Sequence, residues 1–180
     1  MIWKRGIRNA FSAMYLKFKL RWLKKIIQIH QYSERPNISR KRVVWYRHLM
    51  KEIGCDCYIK SGVHISHPQN IRIGNRVSIQ QNCLLSGYGG ICIGSDVSIG
   101  NDTKIITSDH PYTGTVFRNN KLNPKPVHIG NNVIIGTTVV ILGGVSIGDN
   151  VMIGAGAIVT KSIPGNGVYA GNPAKLIKEI

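Results

Sequence analysis

The chain has 180 residues and a mass of 19.9 kDa, enough for one domain or one domain with a small appendage, and enough to bury a core without staples. Apolar residues make 43% and charged residues 18%, which argues against a disordered chain, and 20 glycines beside 7% aromatics point to a tight, repetitive β-type backbone rather than a helical bundle. The net charge of +16 is uneven: residues 1–51 carry +13 and residues 52–180 carry +3, so the basic character belongs to the N-terminal segment.

Residues 1–30 read as a helix. Trp3, Ile7, Phe11, Met14, Phe18, Trp22, Ile26 and Ile29 recur every three or four residues, with Lys4, Arg5, Arg8, Lys17, Lys19, Lys24 and Lys25 between them. Lys4, Arg21 and Lys25 fall on or near that apolar arc, and Leu16, Leu20 and Leu23 fall outside it. Two destinations fit such a helix: an anionic membrane surface, with the basic stems snorkelling, or the flank of the following domain or a neighbouring subunit. No export signal opens the chain and no apolar run approaches the ~20 residues of a membrane span. The expectation is a cytoplasmic protein, peripheral on the inner face of a membrane at most. Residues 31–60 are a polar connector and the entry to a repeat. The expected division is 1–52, basic and mainly helical, and 53–180, a repeat domain.

Thiols are the default for Cys55, Cys57, Cys83 and Cys92, because no second pair with zinc-finger spacing follows Cys55-x-Cys57.

From Ile73 the chain repeats every six residues. The anchors are Ile73, Ile79 and Leu85, then, after a two-residue slip, Ile93, Ile99 and Ile105. The series resumes at Ile129, Ile135, Ile141, Ile147, Ile153 and Val159, each followed four residues later by a small or aliphatic side chain, Val133 through Ile163. A period of six is neither helix nor strand. A short strand followed by a sharp turn explains it, with glycine after the anchor where the corner is crowded. Three hexads close a triangular coil of about 18 residues, and coils stack into a parallel β-helix. Residues 108–128, polar and with three prolines, interrupt the repeat as a long loop that begins at Asp109-His110-Pro111. Residues 172–180 are expected to form a short capping helix, with Pro173 in its first turn.

On these residues the chain resembles the hexapeptide-repeat acyltransferases with a left-handed β-helix. It is most similar to the maltose/galactoside O-acetyltransferase group and to relatives that acetylate surface polysaccharides. The resemblance rests on Thr107-Ser-Asp-His-Pro111, Lys125-Pro-Val-His-Ile-Gly130, Gly144-Val-Ser-Ile-Gly148, Ile153-Gly-Ala-Gly-Ala157, Val159-Thr-Lys161, Ile163-Pro164 and Gly171-Asn-Pro-Ala-Lys175.

It implies a homotrimer with clefts between solenoids, acetyl-CoA as donor, no metal, and His110 as the catalytic base. Imidazole chemistry agrees, since a near-neutral base can take a hydroxyl proton and return it to a thiolate. His128 is the second choice. The resemblance further implies donor contacts at Thr137, Ala155, Thr160, Lys161, Lys175 and Lys178. It implies acceptor contacts at Gln80, Asn82, Tyr88 and Asp109, with Asp109 also placed to orient the histidine. Three positions depart from the group: Ile134 where Trp is common, Gln80 where galactoside acetyltransferases have Asn, and Tyr88 where they have Asp. The expected acceptor is therefore a sugar of a surface glycan or a lipid-linked precursor rather than a free galactoside or maltose. Transfer to an amino sugar, a γ-carbonic-anhydrase-like metal enzyme built on His64, His67, His110 and His128, and a non-catalytic trimeric scaffold binding nucleic acid through the basic segment are the alternatives.

Overall fold

The computed structural model describes residues 17–33, 35, 37–111, 114 and 122–180. The expected helical turns before residue 17, and loop residues 112–113 and 115–121, lie outside them.

The hexads build a three-faced parallel β-helix. The first face stacks Glu52–Ile53, Ile71–Ile73, Ile91–Ile93, Val127–Ile129 and Ser146–Ile147. The second runs from Tyr58–Ile59 through Ser78–Ile79, Val97–Ile99, Val133–Ile135 and Val151–Ile153 to Gly167–Ala170 and Lys175–Glu179. The third stacks His64–Ser66, Leu84–Ser86, Lys104–Ile106, Val140–Ile141 and Ile158–Val159. All twelve anchors point inward and are at most 4% exposed. An aliphatic side chain in each coil lies on its counterpart in the next: Ile73 pairs with Ile93, Ile99 with Ile135, Ile105 with Ile141.

The coils are not all 18 residues long. Ile71 pairs with Ile91 and His64 with Leu84, a repeat of 20. Ile91 pairs with Val127, a repeat of 36 that contains the loop. His128 pairs with Ser146, the expected 18, and Val151 with Gly167, a repeat of 16. The extra residues accumulate at one corner, between the third and first faces. There His67–Asn70, Gly87–Gly90 and Thr107–Pro126 replace a simple turn.

At the corner between the first and second faces the turns touch backbone to backbone. A Cβ on Gly94 would stand 2.6 Å from the Gly130 carbonyl oxygen of the next coil, a backbone atom that cannot swing aside. Gly94→Ala is expected to destabilise the protein by about 1–3 kcal/mol through overpacking, read as a fall in the thermal midpoint. An unchanged midpoint would mean that neighbouring coils can spread there.

The C-terminal helix expected over 172–180 is a strand. Lys175–Glu179 pairs antiparallel with Gly167–Ala170, Lys178 opposite Val168 and Lys175 opposite Ala170. The last coil presents an open strand edge whose backbone groups need partners, and this five-residue segment is too short to gain much as a helix. Edge coverage therefore wins over local helical signals.

The other end is closed by two helices, α1 (residues 17–29) and α2 (Ile38–Arg47). Val43, Tyr46 and Met50 join the solenoid core. On α1 the inward face is Leu20, Leu23 and Ile27, with Leu23 4% exposed, whereas Phe18, Trp22 and Ile29 point outward. Within the described residues, the apolar arc traced in the sequence is thus turned away from the core at Phe18, Trp22 and Ile29, with Ile26 half-buried. Arg42 is buried and donates to the carbonyls of Ile59, His30, Gln31 and Ser33, at 3.2, 2.8, 3.2 and 2.6 Å. One guanidinium joins the C-terminal end of α1, the connector and the first coil.

All four cysteines are free. Burial pushes the Cys83 thiol up to about 11, which makes it a space-filling group rather than a nucleophile.

Candidate active site

His110 stands at the enlarged corner between the third and first faces. The loop there has a two-stranded neck, with Ser108 opposite Pro124 and Asp109 opposite Asn123. His110 follows the neck directly and is exposed. The neck is fastened below by Thr107, which is fully buried. Its hydroxyl donates to the Ser86 carbonyl and accepts from the Gly89 N–H at 2.7 Å, while its carbonyl accepts from the Lys125 N–H at 2.8 Å. Thr107 therefore ties the outgoing strand, the previous corner and the returning strand together, three residues before the imidazole. Thr107→Val keeps the shape and removes the hydroxyl bonds. We expect about 1–2 kcal/mol lower stability and a several-fold lower kcat at unchanged acetyl-CoA KM. A raised KM with normal kcat would count against a positioning role.

Asp109 is held by the returning strand of the loop. Its Oδ2 is 2.6 Å from Lys125 Nζ, an ion pair across the neck. The hydrogen bond from Lys125 holds the Asp109 carboxyl below its ordinary value. A depressed carboxyl contributes only while ionised, so this latch is complete at neutral pH and is lost as acid titrates it below pH 3.8. Both partners are nearly half exposed, so the bridge adds little to global stability.

Tyr88 lies one coil down on the same corner. The ring of His67 meets it edge-on, with centroids 5.4 Å apart. Asn70 Nδ2 donates to the carbonyls of Gly87 and Tyr88, both at 3.2 Å, and fixes that turn. Beyond His67 a cavity of about 370 Å³ opens between α1 and the first coil. Ile27, Tyr46, Leu49, Val63 and Ile65 supply apolar lining, and Lys24, Gln28, Gln31, His64, Ser66 and His67 supply polar groups. The strand register Ser66–Ser86–Ile106 puts this cavity two strand spacings, about 10 Å, along the corner from the base of the His110 loop. Sequence reasoning weighed His64 and His67 only as metal ligands. The available signal was the two-residue excess between Ile65 and Ile73, which marks the enlarged turn.

Gln80, Asn82, Thr137 and Ala155 stand on the opposite border of the third face. That corner is a ladder of backbone bonds: Asp102 N–H to Gln81 carbonyl at 2.9 Å, Thr138 to Asn101 at 2.8 Å, and Gly156 to Thr137 at 2.8 Å. The ladder leaves Thr137, Ala155 and Asn82 exposed. Ile134 and Met152, exposed on the second face, give it an apolar flank. Thr160 and Lys161 return to the His110 corner, exposed after Ile158–Val159. Lys175 and Lys178 lie on the terminal strand, not on a helix. Apart from the two lysines of the terminal strand, the candidate residues thus occupy the two borders of the third face. His128 points outward from the first face, between Cys92 and Ser146. Among the described residues no three His, Cys, Asp or Glu side chains gather as a metal-binding group.

A repeat family described as bacterial transferase hexapeptide (six repeats) matches residues 126–161. Galactoside O-acetyltransferase of Escherichia coli (strain K12) is 37% identical over 145 residues, 81% of this chain and 71% of that protein. The crystal structure of a maltose O-acetyltransferase from Clostridium difficile 630 superposes with a TM-score of 0.79 at 32% identity, covering 92% of this chain and 88% of the other. A galactoside acetyltransferase in complex with coenzyme A also gives 0.79, at 34% identity, covering 92% and 82%. The chain therefore belongs to the hexapeptide-repeat acetyltransferases, in the group of the galactoside and maltose O-acetyltransferases, as an acetyl-CoA-dependent O-acetyltransferase on a left-handed β-helix.

Proposed function

We propose that the protein acetylates a sugar hydroxyl of a surface polysaccharide or its precursor, with His110 as the general base. The observation that carries this reading is the placement of an exposed histidine at the fastened neck of the loop, on the same corner as a cavity with polar and apolar walls. His110 takes the hydroxyl proton as the oxygen attacks the thioester carbonyl. The tetrahedral adduct collapses with cleavage of the carbon–sulfur bond, and the imidazolium returns the proton to the departing thiolate. No covalent enzyme intermediate is needed, and the buried Cys57 and Cys83 fit that economy.

The donor is read along the Thr137–Ala155 ladder and, across the third face, at Thr160 and Lys161, with Lys175 and Lys178 on the terminal strand supplying charge near the nucleotide phosphates. The acceptor is read at Tyr88 and Asp109, on the corner that also carries the cavity, and at Gln80 and Asn82 on the opposite border of the third face. Because these groups border opposite edges of one face, a site completed between neighbouring protomers of a homotrimer is the simplest way to join them. Tyr88 and Gln80, replacing the group's Asp and Asn, favour an acceptor other than a free galactoside. A lipid-linked sugar on the cytoplasmic leaflet suits the basic N-terminal segment, with residues 1–30 in peripheral contact.

The test is thiol release from acetyl-CoA against mono-, oligo- and lipid-linked sugars. Acceptor-dependent release with an O-acetyl product supports the reading, and the active acceptor names the glycan. Release only with an amino sugar would move the reaction to N-acetylation. No release with any acceptor would overturn it.

A further inference from the structure

Helix α1 has two apolar faces and the fold uses one. Leu23 is buried and Leu20 and Ile27 are half-buried, Ile27 against the solenoid core, while Phe18, Trp22 and Ile29 are 68%, 59% and 66% exposed. At 3.6 residues per turn the exposed three fall within about 40° of one another, on the side opposite the buried three. Tyr32, just past the helix, is also exposed. Lys25 and Arg21 flank this stripe on one side and Lys19 on the other, all exposed. In the sequence the same three- and four-residue spacing runs back through Met14, Phe11, Ile7 and Trp3, and Glu34 is the sole acid before residue 52.

We infer that the outward face of α1 docks the protein on an anionic lipid surface. Aromatic and aliphatic side chains would enter the headgroup boundary, and the flanking cations would meet acidic headgroups. The charge decides between this occupant and a second copy of the chain. Two such faces would bring two segments together that are each +13 even after their single acid, Glu34, is counted, whereas an acidic bilayer complements both the stripe and its border. No described helix is long and apolar enough to cross a membrane, so the contact lies in the interface plane. Lys24 and Gln28, on another side of the same helix, line the cavity. Docking therefore holds that cavity beside the bilayer. The inference extends the acceptor reading by giving a reason for a lipid-linked sugar, but it does not need catalysis to be true.

The experiment is flotation of the full-length protein with vesicles of phosphatidylcholine alone and of phosphatidylcholine containing phosphatidylglycerol. Wild type is expected to float with the anionic vesicles only and to be released by high salt. A triple variant, Phe18→Ser, Trp22→Ser and Ile29→Ser, is expected to partition about tenfold more weakly, with unchanged oligomer mass and unchanged acetyl transfer to a soluble sugar. Reversing Lys19, Arg21 and Lys25 to Glu should act similarly. Wild type that does not float, or a triple variant that floats as well as wild type, overturns the inference. A triple variant that changes oligomer mass would assign the face to a subunit contact and overturn it too. Vesicle binding without acetyl transfer to any sugar would sink the acceptor reading and leave the docking intact.

Discussion

His110→Ala lowers kcat with the cognate acceptor by about 10²–10⁴-fold, the usual contribution of a positioned general base. Coenzyme A affinity stays within about twofold, because the Thr137–Ala155 ladder lies across the third face from the histidine. The pairing of these results is the diagnostic. A general loss of structure would weaken the coenzyme as well, and the exposed position of His110 beyond the neck gives alanine nothing to unpack. Steady-state kinetics and calorimetric titration check the two halves. A fall of less than threefold in kcat would place the base elsewhere, with His67 beside Tyr88 the next residue to replace.

Arg42→Met is expected to lower stability by about 3 kcal/mol and to act first on the N-terminal cap. It removes four hydrogen bonds from a buried cation to main-chain carbonyls, each stronger than a neutral bond. The methionine stem fills much of the same volume, so the loss isolates the polar contribution. Hydrogen exchange should rise across residues 17–33 before it rises in the solenoid strands. Because α1 walls the cavity, the acceptor KM should rise while the acetyl-CoA KM does not. Uniform exchange across the whole chain would mean that the cap and the solenoid unfold as one unit.

The period of six was legible because each anchor has one role, and all twelve lie in the core. The two-residue slip before Ile93 was legible too, and it marks the corner that carries His110. The C-terminal strand was not legible. Its pairing depends on the open edge left by Gly167–Ala170, a partner that no local window contains. The orientation of α1 was hidden for a related reason. Both Phe18-Trp22-Ile29 and Leu20-Leu23-Ile27 satisfy helical spacing, and only the shape of the solenoid end decides which is buried. The cavity was out of reach of sequence, since its walls come from residues 24–31, 46–49 and 63–68, joined by Arg42.

The enlarged corner has a consequence for how this protein's specificity can change over generations. On either side of it the strands resume perfect alignment: Ser66 over Ser86 and Ile106 before the turn, Ile71 over Ile91 and Val127 after it. Three inserts of different length hang from that single edge, and no core side chain has to adjust to any of them. The segment proposed to meet the acceptor therefore behaves as an exchangeable cassette. It can be lengthened, shortened or swapped between homologues while the folding nucleus stays under separate selection, so new acceptors become accessible without a folding penalty at each step.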